Sequence, residues 1–586
     1  MRREISTKEA VTLFGLFRLR VKYSPDRTAF KYFDKSKKRW ISSSWRETAL
    51  DVAKWQAGLK KENLTKGDRV GLMIKTSYER AIFEFAASGL GLVTVPMPVN
   101  GFASKDYNES VILDLGIKFL LIEGEEQEKL LLSIRDNSSS IADIYEFFKN
   151  IKLVRLDQIN SWLPRTDEEK SFELIDITSN PDDIAVIHYT SGTSGKPKGV
   201  VLSYKNLLSN AEAISHHTTV YDDDILVPFA SGWLFPIMAD CGTAFPRNIY
   251  DLKVIKPTRI VSATRLYEYL YDQINSKLMK KPLWVQSIFK YAVKTGWNLF
   301  EYRQGRGDWH FDFLLFPIFD LLIARPVRKI LGNRVRSASY AGGVLPPEIY
   351  KTFIAFGIPV LNCYGQAEAG PIVSINVVEN NIPSSVGKPL KTVDIMIKNG
   401  ELLVKSPSVM TGYWNNQSAT EAALKDGWLH TGDMVNIGSN GYLFFVGRMS
   451  EVITMENGKK VSPVAIEAVI KADILFDQVM VIGKDRPFLT ALVIFNKELL
   501  EKIAKSLKLN PRNPLTLREK SLKAIILKRI AEKMADYPDY MQIVDVTLLS
   551  DEWTAESGLM TVSNKLKRKN IEAKYSEEIN TMYYNA

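Results

Sequence analysis

Short uncharged apolar runs alternate along most of the chain with longer stretches in which apolar side chains recur every three or four positions. RVGLMI (69–74), KFLLIEG (118–124), IAVIHYT (184–190) and IPVLNCYG (358–365) have the length and β-branched content of buried strands. Between the runs, SSWRETALDVAKWQAGLKKENL (43–64) sets Ala49, Val52, Trp55 and Leu59 at helical spacing. Strands alternating with helices predict an α/β fold of doubly wound, parallel sheets, with sites at the strand C-terminal ends. Over residues 385–414 the pattern changes to short strands joined by turns, and Asn399-Gly400 marks a hairpin. After Gly447 a smaller mixed segment begins, with strands near QVMVIG and LTALVIF and helices toward the C-terminus. No internal repeat or low-complexity linker occurs, so the boundary between Gly447 and Glu451 rests on this change of pattern and on motif position.

One stretch breaks the alternation: TSGTSGKPKGVVLSYKNL, residues 190–207. A strand precedes it, and after it SYKNLLSNAEAI places Leu207, Leu208, Ala211 and Ile214 on one helical face, with Ser203 as N-cap. A glycine-rich turn between strand and helix lets backbone N–H groups curl around an anion. Thr190, Ser191, Thr193 and Ser194 add hydroxyl donors, Lys196 and Lys198 add charge, and Gly192 and Gly195 keep the turn open. The pattern reads as a phosphate grip. It is not a Walker A loop, because Pro197 stands where that loop needs Ser or Thr after its lysine. The plainer alternative is a surface loop that happens to be rich in serine and glycine.

At 586 residues the chain is too long for one compact core. Charged residues at 25% and hydrophobic ones at 45% exclude a disordered chain and a membrane channel. The net charge of +10 suits nucleic acid, anionic lipid or a polyanionic small substrate, and charge alone does not choose among them. No nucleic-acid recognition motif accompanies it, so nucleic acid is the weakest reading. Cys241 and Cys363 form neither a disulfide framework nor a metal spacing, which points to a reducing compartment. Arg18, Arg20 and Lys22 interrupt the first apolar run, so no signal peptide is read. No run of about 18 apolar residues predicts a spanning helix. The expected location is cytoplasmic, with peripheral contact on the inner face of an anionic membrane as an addition. That addition depends on residues 309–330, WHFDFLLFPIFDLLIARPVRKI. The favoured reading of this segment is a buried helical hairpin; the other is an interfacial segment resting on lipid, helped by Lys280, Lys281 and Arg328.

YTSGTSGKPKGV resembles the phosphate-loop signature of the adenylate-forming superfamily, which includes acyl-CoA synthetases, luciferases and peptide-synthetase adenylation domains. Further signatures follow in that family's order: SYAGGVLPPEI (339–349), CYGQAEAGP (363–371), HTGDMV (430–435), GRMSEVITMENGKKVSPVAIE (447–467) and TVSNKLKR (561–568). The resemblance covers nearly the whole chain and is nearest to the long-chain fatty acyl-CoA synthetases. The long insert at about 268–336, the YGQxE form and a lysine motif without its usual preceding glycine support that branch. It implies an N-terminal domain, 1–447, of doubly wound mixed and parallel sheets with a distorted β-barrel subdomain. A small, mobile α+β domain, 448–586, follows and carries the catalytic lysine.

The implied reaction turns ATP and a long-chain fatty acid into an acyl adenylate and pyrophosphate, then transfers the acyl group to CoA or to a carrier-protein thiol. A carboxylate is a poor electrophile, so such an enzyme must place it in line with the α-phosphate and stabilise charge on phosphoryl oxygens. By resemblance the 190–198 loop, with Lys196 as a catalytic cation, holds the β- and γ-phosphates. Gly342 and Gly343 let the backbone approach adenine, Tyr364 beside Gly365 stacks on it, and Asp433 and Arg448 reach the ribose side. Glu368 and Thr190 hold Mg2+, Trp233 borders the acyl channel, and Lys565 meets the acyl carboxylate and α-phosphate. The plain alternatives are a solvated loop acid for Glu368, a turn residue for Asp433, a surface cation for Arg448, core packing for Tyr364 and Trp233, and a basic helix start for Lys565. Three departures stand out: Ala367 replaces the usual threonine, residues 226–242 lack the usual histidine, and Ser450 replaces the hinge Asp or Lys. One lost donor costs roughly 3 to 4 kcal/mol of transition-state stabilisation. A non-catalytic nucleotide or acyl-adenylate binder is therefore kept as an alternative.

Overall fold

The computed structural model describes residues 3–99, 111, 114–137, 148–164, 173–177, 179–190, 197–229, 234–510, 513, 516–517, 519–535, 537–554, 556–561 and 565–584. Two large sheets form the body of residues before 450. In the first, the strands run in the order Lys152–Arg155, Phe119–Ile122, Arg69–Met73, Val93–Pro96, Ile184–Thr190, Lys198–Ser203 and Gly412–Tyr413. The pairs are parallel as far as Ile184–Thr190 and antiparallel beyond it. The second sheet has nine strands; its middle six are parallel and both of its edges antiparallel. The continuous apolar runs read as strands are those of the parallel interiors, where both faces are covered: Phe119–Ile122 is buried at every position.

Helix Trp45–Lys60 starts where a capping box predicts, with Ser44 and Glu47 satisfying each other's backbone N–H groups. It buries Val52, Trp55 and Leu59. Trp45 joins Phe17, Phe30 and Phe85 in an aromatic core with ring centroids 4.4 to 6.4 Å apart. A third sheet is antiparallel throughout, and its Asp394–Lys398 and Glu401–Lys405 strands turn on Asn399 and Gly400. Both turn residues have positive φ, 54° and 84°, as a two-residue hairpin with the right-handed strand twist requires. After residue 450, two apolar clusters are built from that part of the chain alone, around the sheet Phe476–Ile482, Leu489–Phe495 and Ile543–Leu549. Across to the larger body, Lys533 Nζ donates to Glu348 Oε1 at 2.6 Å. Cys241 and Cys363 are buried thiols.

Two expectations need correction. The 191–197 loop does not open directly into a helix: it joins two antiparallel strands, Ile184–Thr190 and Lys198–Ser203. GVVLS continues the sheet because its apolar side chains are buried there, and helix Tyr204–His217 begins only after Ser203, which caps it as expected. That helix's N-terminal dipole is thus a whole strand away from the loop. Nor do residues 309–330 form a buried hairpin. They make a 3-10 turn, two short helices and a π turn on the outside of helix Leu283–Arg303, with Phe311, Leu314, Ile318, Leu321 and Leu322 exposed. Pro317 and Pro326 interrupt the backbone pairing needed for two regular helices. Among the described residues no helix is long and apolar enough to cross a membrane.

Candidate active site

The strands Trp428–Ile437 and Leu443–Arg448 pair antiparallel with Asp433 opposite Arg448, so the HTGD and GR motifs face each other. Asp433 is buried; its Oδ2 accepts a hydrogen bond from the Tyr364 hydroxyl at 2.6 Å. Arg448 Nε lies 3.0 Å from Oδ1 but out of line for a hydrogen bond, which leaves Oδ1 buried without one. Burial raises the Asp433 pKa above the usual carboxylate range, opposed by Arg448, Tyr364 and Lys565. The turn carrying Asp433 is clamped from the neighbouring strand. Glu401 Oε1 accepts from the Gly432 N–H at 2.9 Å and Oε2 lies 2.9 Å from His430 Nδ1. Thr431 Oγ1 donates to the Leu402 carbonyl at 2.6 Å and accepts from the Asp433 N–H at 3.1 Å. Gly432 adopts φ +68°, which a side chain would strain.

Glu368 sits in the short 3-10 turn Ala367–Ala369 after strand Val360–Gly365. Its Oε1 accepts from the Tyr413 hydroxyl at 2.9 Å; its other oxygen has no partner among the described residues. Tyr413 is placed there because Gly412–Tyr413 pairs with Lys198–Ser203, and Lys198 Nζ lies 4.9 Å from the centre of its ring. Thr190 Oγ1 donates to the Lys198 carbonyl at 3.4 Å and closes the base of the loop. Ser191, Gly192, Thr193, Ser194, Gly195 and Lys196 lie outside the described residues, as does Trp233. Among the described residues no three His, Cys, Asp or Glu side chains converge. A single half-buried carboxylate with one free oxygen fits a hard cation such as Mg2+ that takes its remaining ligands from phosphates and water.

Gly342 has φ +89° with open space where a side chain would stand, and Gly343 follows it beside Thr264, both just past strand Ser337–Ala341. At Gly365 an added Cβ would lie 1.9 Å from the Pro371 carbonyl oxygen, so only glycine fits between Tyr364 and the Glu368 turn. Ala367 is half-buried in that turn and offers no hydroxyl.

Lys565 arrives from the far end of the sequence. The Thr561 N–H donates to the Lys565 carbonyl at 2.8 Å and the Lys565 N–H to Thr561 Oγ1 at 3.0 Å, while Met560 bridges to Leu566. Both bonds tie Lys565 back to Thr561. Desolvation, then Arg448, holds its ammonium pKa below the usual lysine range, and Glu451, Asp433 and Glu368 oppose the shift. Arg568 takes no part: it is bound at two points to Glu467, at 2.7 and 2.6 Å, inside the C-terminal core. The structure therefore brings Tyr364, Glu368, Asp433, Arg448 and Lys565 together, and adds Glu401, His430 and Tyr413. Of the added three, His430 stood within a quoted motif, whereas nothing local in the sequence marks Glu401 or Tyr413.

On the side of the first sheet's strand ends, a cavity of about 510 Å3 is lined by Lys75, Arg80, Met97, Val99, Pro228 and Phe229, among others. His188, on strand Ile184–Thr190, feels the charge of Arg80, and burial first, then that charge, pushes its imidazole down to about 4. It is a neutral histidine near the strand ends although residues 226–242 supply none.

Residues 17–414 match the AMP-binding enzyme family, and residues 450–586 match the AMP-binding enzyme C-terminal domain. The chain is 27% identical to a long-chain-fatty-acid–CoA ligase of Mycobacterium bovis, over 93% of this chain and 92% of that one. It is 28% identical to a chloroplastic long-chain-fatty-acid–[acyl-carrier-protein] ligase of Arabidopsis thaliana, over 69% of this chain and 62% of that one. Its fold is similar to the crystal structure of the adenylation domain of a carboxylate reductase from Mycobacterium chelonae, with TM-score 0.72 and 20% identity over 98% and 91% of the two chains. The first family match alone takes in well over half of the sequence and includes both large sheets, and on that extent the chain belongs to the AMP-binding enzymes and has their adenylate-forming fold.

Proposed function

We propose that the protein activates a long-chain fatty acid with ATP to an acyl adenylate and transfers the acyl group to the thiol of CoA. The observation that carries this reading is the Asp433–Arg448–Tyr364 cluster beside the Glu368–Tyr413 pair, with Lys565 within range of its charges. A cation from the C-terminal unit thereby acts electrostatically on a carboxylate with a buried, unbonded oxygen and on another whose second oxygen has no partner among the described residues. In this reading Asp433 Oδ1 receives a ribose hydroxyl, Arg448 braces the same carboxylate, and Gly342 and Gly343 let the backbone approach the base. The 190–198 loop holds the leaving phosphates, with Lys196 among its cations. Glu368 would hold Mg2+, which supplies charge neutralisation on the phosphates when bound. Lys565 offsets charge developing as the fatty carboxylate oxygen bonds to the α-phosphorus and pyrophosphate departs. Residues 1–447 then form the substrate-binding domain, and 448–586 swing about Gly447–Glu451 to withdraw Lys565 for the thiol step.

The likeness to the carrier-protein ligase favours a second acceptor, the phosphopantetheine thiol of a carrier protein. Purified protein with ATP, Mg2+ and fatty acids of graded length separates the readings through pyrophosphate release and thioester product, with CoA, with loaded carrier protein and with neither. Thioester on CoA supports the proposal, thioester on the carrier alone moves the acceptor, and no fatty-acid-dependent pyrophosphate removes the ligase reading in favour of a binder.

Two smaller effects follow. Tyr413→Phe deletes one hydrogen bond to the Glu368 carboxylate, worth about 1.5 to 3 kcal/mol for a charged acceptor, so the Mg2+ concentration for half-maximal pyrophosphate release is expected to rise roughly tenfold or more. An unchanged Mg2+ titration would detach Tyr413 from the metal's carboxylate. The cavity lined by Phe229, a few positions before Trp233 in the sequence, is our candidate acyl space. Val99→Trp is expected to move the preferred acyl chain to shorter lengths without altering KM for ATP; an unmoved length profile places the chain elsewhere.

A further inference from the structure

The three-stranded sheet after residue 450 divides its side chains between two cores. On strand Phe476–Ile482, Val479 and Val481 pack with Leu522, Ile526 and Ile530 of helix Lys520–Lys533, while Met480 and Ile482, on the other face, pack with Leu559 and Met560. The helix and the segment that leads to Lys565 therefore lie on opposite faces of one sheet. Both are fixed to it. Lys523 Nζ donates to Asp545 Oδ2 at 2.8 Å on strand Ile543–Leu549, and Gln542 Nε2 donates to the Met534 and Tyr537 carbonyls at 2.8 Å each, so the end of the helix moves with the sheet. Leu566, next to Lys565, packs on the second core. The unit is thus one piece, and a contact from each of its faces to the larger body fixes its orientation as well as its distance.

Lys533 makes the contact from the helix side. It stands in the last turn of its helix, and Glu348 stands in the first turn of helix Pro347–Ala355, so each charge is the one its helix end favours. Their bond of 2.6 Å joins a cation fixed in one unit to an acid fixed in the other. Glu348 Oε2 also accepts from the Tyr271 hydroxyl at 3.4 Å, which leaves Oε1 to Lys533. Gly342 and Gly343, assigned above to the nucleotide base, lie shortly before this helix, so the pair ties the C-terminal unit to the segment that carries their loop. From the other face of the sheet, the charge of Lys565 reaches Arg448, Asp433 and Glu368. With side-chain exposures of 26% and 40%, the Lys533–Glu348 pair is partly screened and weak by itself. Weakness suits it, because its two members stand on opposite sides of the Gly447–Glu451 hinge and must part whenever the unit swings. We propose that Lys533 and Glu348 are positioning residues, whose ion pair holds the C-terminal unit in its present arrangement during adenylation and breaks for the thiol step. The inference rests on the two-step reaction proposed above.

The test reads the arrangement and the chemistry separately. Fluorescence transfer between dyes on Lys290→Cys and Lys502→Cys, exposed positions in the two units, follows the arrangement without any reaction, and the buried Cys241 and Cys363 stay unlabelled. Lys533→Glu turns the attraction into a repulsion and should move the ratio of the two arrangements about five- to tenfold away from the present one; Glu348→Gln should move it about two- to fivefold the same way. Lys533→Glu combined with Glu348→Lys should recover most of the loss, though not all, because each charge then opposes its helix end. In single-turnover assays the same variants should slow pyrophosphate release from ATP and fatty acid by comparable factors, while thioester formation from supplied acyl adenylate and the thermal midpoint stay unchanged. Transfer unmoved by both Lys533→Glu and Glu348→Gln overturns the proposal. So does equal slowing of the two half-reactions with a lowered midpoint, which would make the pair a fold contact, or a doubly reversed variant no better than Lys533→Glu alone. A parent that releases no fatty-acid-dependent pyrophosphate would remove the reaction reading, and the transfer result would still decide whether the pair holds the units together.

Discussion

Lys565→Ala is expected to lower acyl-adenylate formation by roughly two to three orders of magnitude, the range for removing one preorganised group that meets transition-state charge, while thioester formation from supplied acyl adenylate persists. The asymmetry follows from where the lysine sits. Its backbone is tied to Thr561 by two hydrogen bonds, and its ammonium feels the charges of Arg448, Glu451, Asp433 and Glu368. Charge also builds on the departing AMP phosphate oxygen in the second half-reaction, but in the proposed cycle the C-terminal unit has by then withdrawn Lys565, so its loss is felt in the first step. The hydrogen bonds to Thr561 use only backbone atoms of Lys565, so the alanine variant keeps them and should fold normally. The pH profile gives a second readout. The cationic form does the work, and desolvation and Arg448 hold the lysine's pKa below its usual value near 10.4. Adenylation should therefore be intact below the shifted pKa and fall as pH rises through it, earlier than an ordinary lysine would dictate. Lys565→Arg should remove that basic limb, because guanidinium stays charged, while losing part of the rate through its different shape. Equal loss of both half-reactions in Lys565→Ala would indicate misfolding, and a wild-type first step would move the role to another cation, Lys567 being nearest in sequence.

What the sequence disclosed was whatever is determined locally. The strand Ile184–Thr190, the Ser203 cap and the Asn399-Gly400 turn each depend on a few neighbouring residues, and each was legible. The loop at 190–198 was legible as a grip but not in its surroundings, because GVVLS is equally readable as the approach to a helix and as a strand. Pairing with Ile184–Thr190 decided the matter. The 309–330 segment was misleading for a physical reason: apolar residues are usually covered, and periodicity cannot say by what. Within the site, the motif residues were found through resemblance, yet Glu401 and Tyr413 were not. Glu401 acts across a strand pair on His430 and Gly432, and Tyr413 reaches Glu368 from a two-residue edge strand. Neither position carries a periodic signal. The Asp433–Arg448 pair illustrates the gain: two motifs separated along the chain become neighbours because the antiparallel register sets them opposite each other.

Asp433→Asn should separate function from stability in the opposite direction to most core substitutions. Asp433 is buried, and its Oδ1 lacks a hydrogen bond while Arg448 stands beside it out of line. Keeping that carboxylate ionised therefore costs the folded chain, which is the meaning of its raised pKa. The folded state binds the proton more tightly than the unfolded chain does, so the group's contribution is fully favourable below the unfolded value near 3.9 and is lost as pH rises through the folded pKa. At neutral pH the neutral amide avoids this cost and can still accept from Tyr364, while Arg448, partly exposed, turns toward water. The thermal midpoint of Asp433→Asn should equal or exceed that of the parent at neutral pH, and the advantage should vanish at acid pH. Nucleotide handling should move the other way. An amide presents one acceptor where the carboxylate presents two, and a lost charge-assisted hydrogen bond is worth about 1.5 to 3 kcal/mol, so KM for ATP should rise roughly ten- to a hundredfold. Calorimetric unfolding across pH and an ATP titration of pyrophosphate release measure both. A variant that loses stability while binding ATP as before would make Asp433 a structural turn residue, with Glu401 and Thr431 holding the turn for the fold alone.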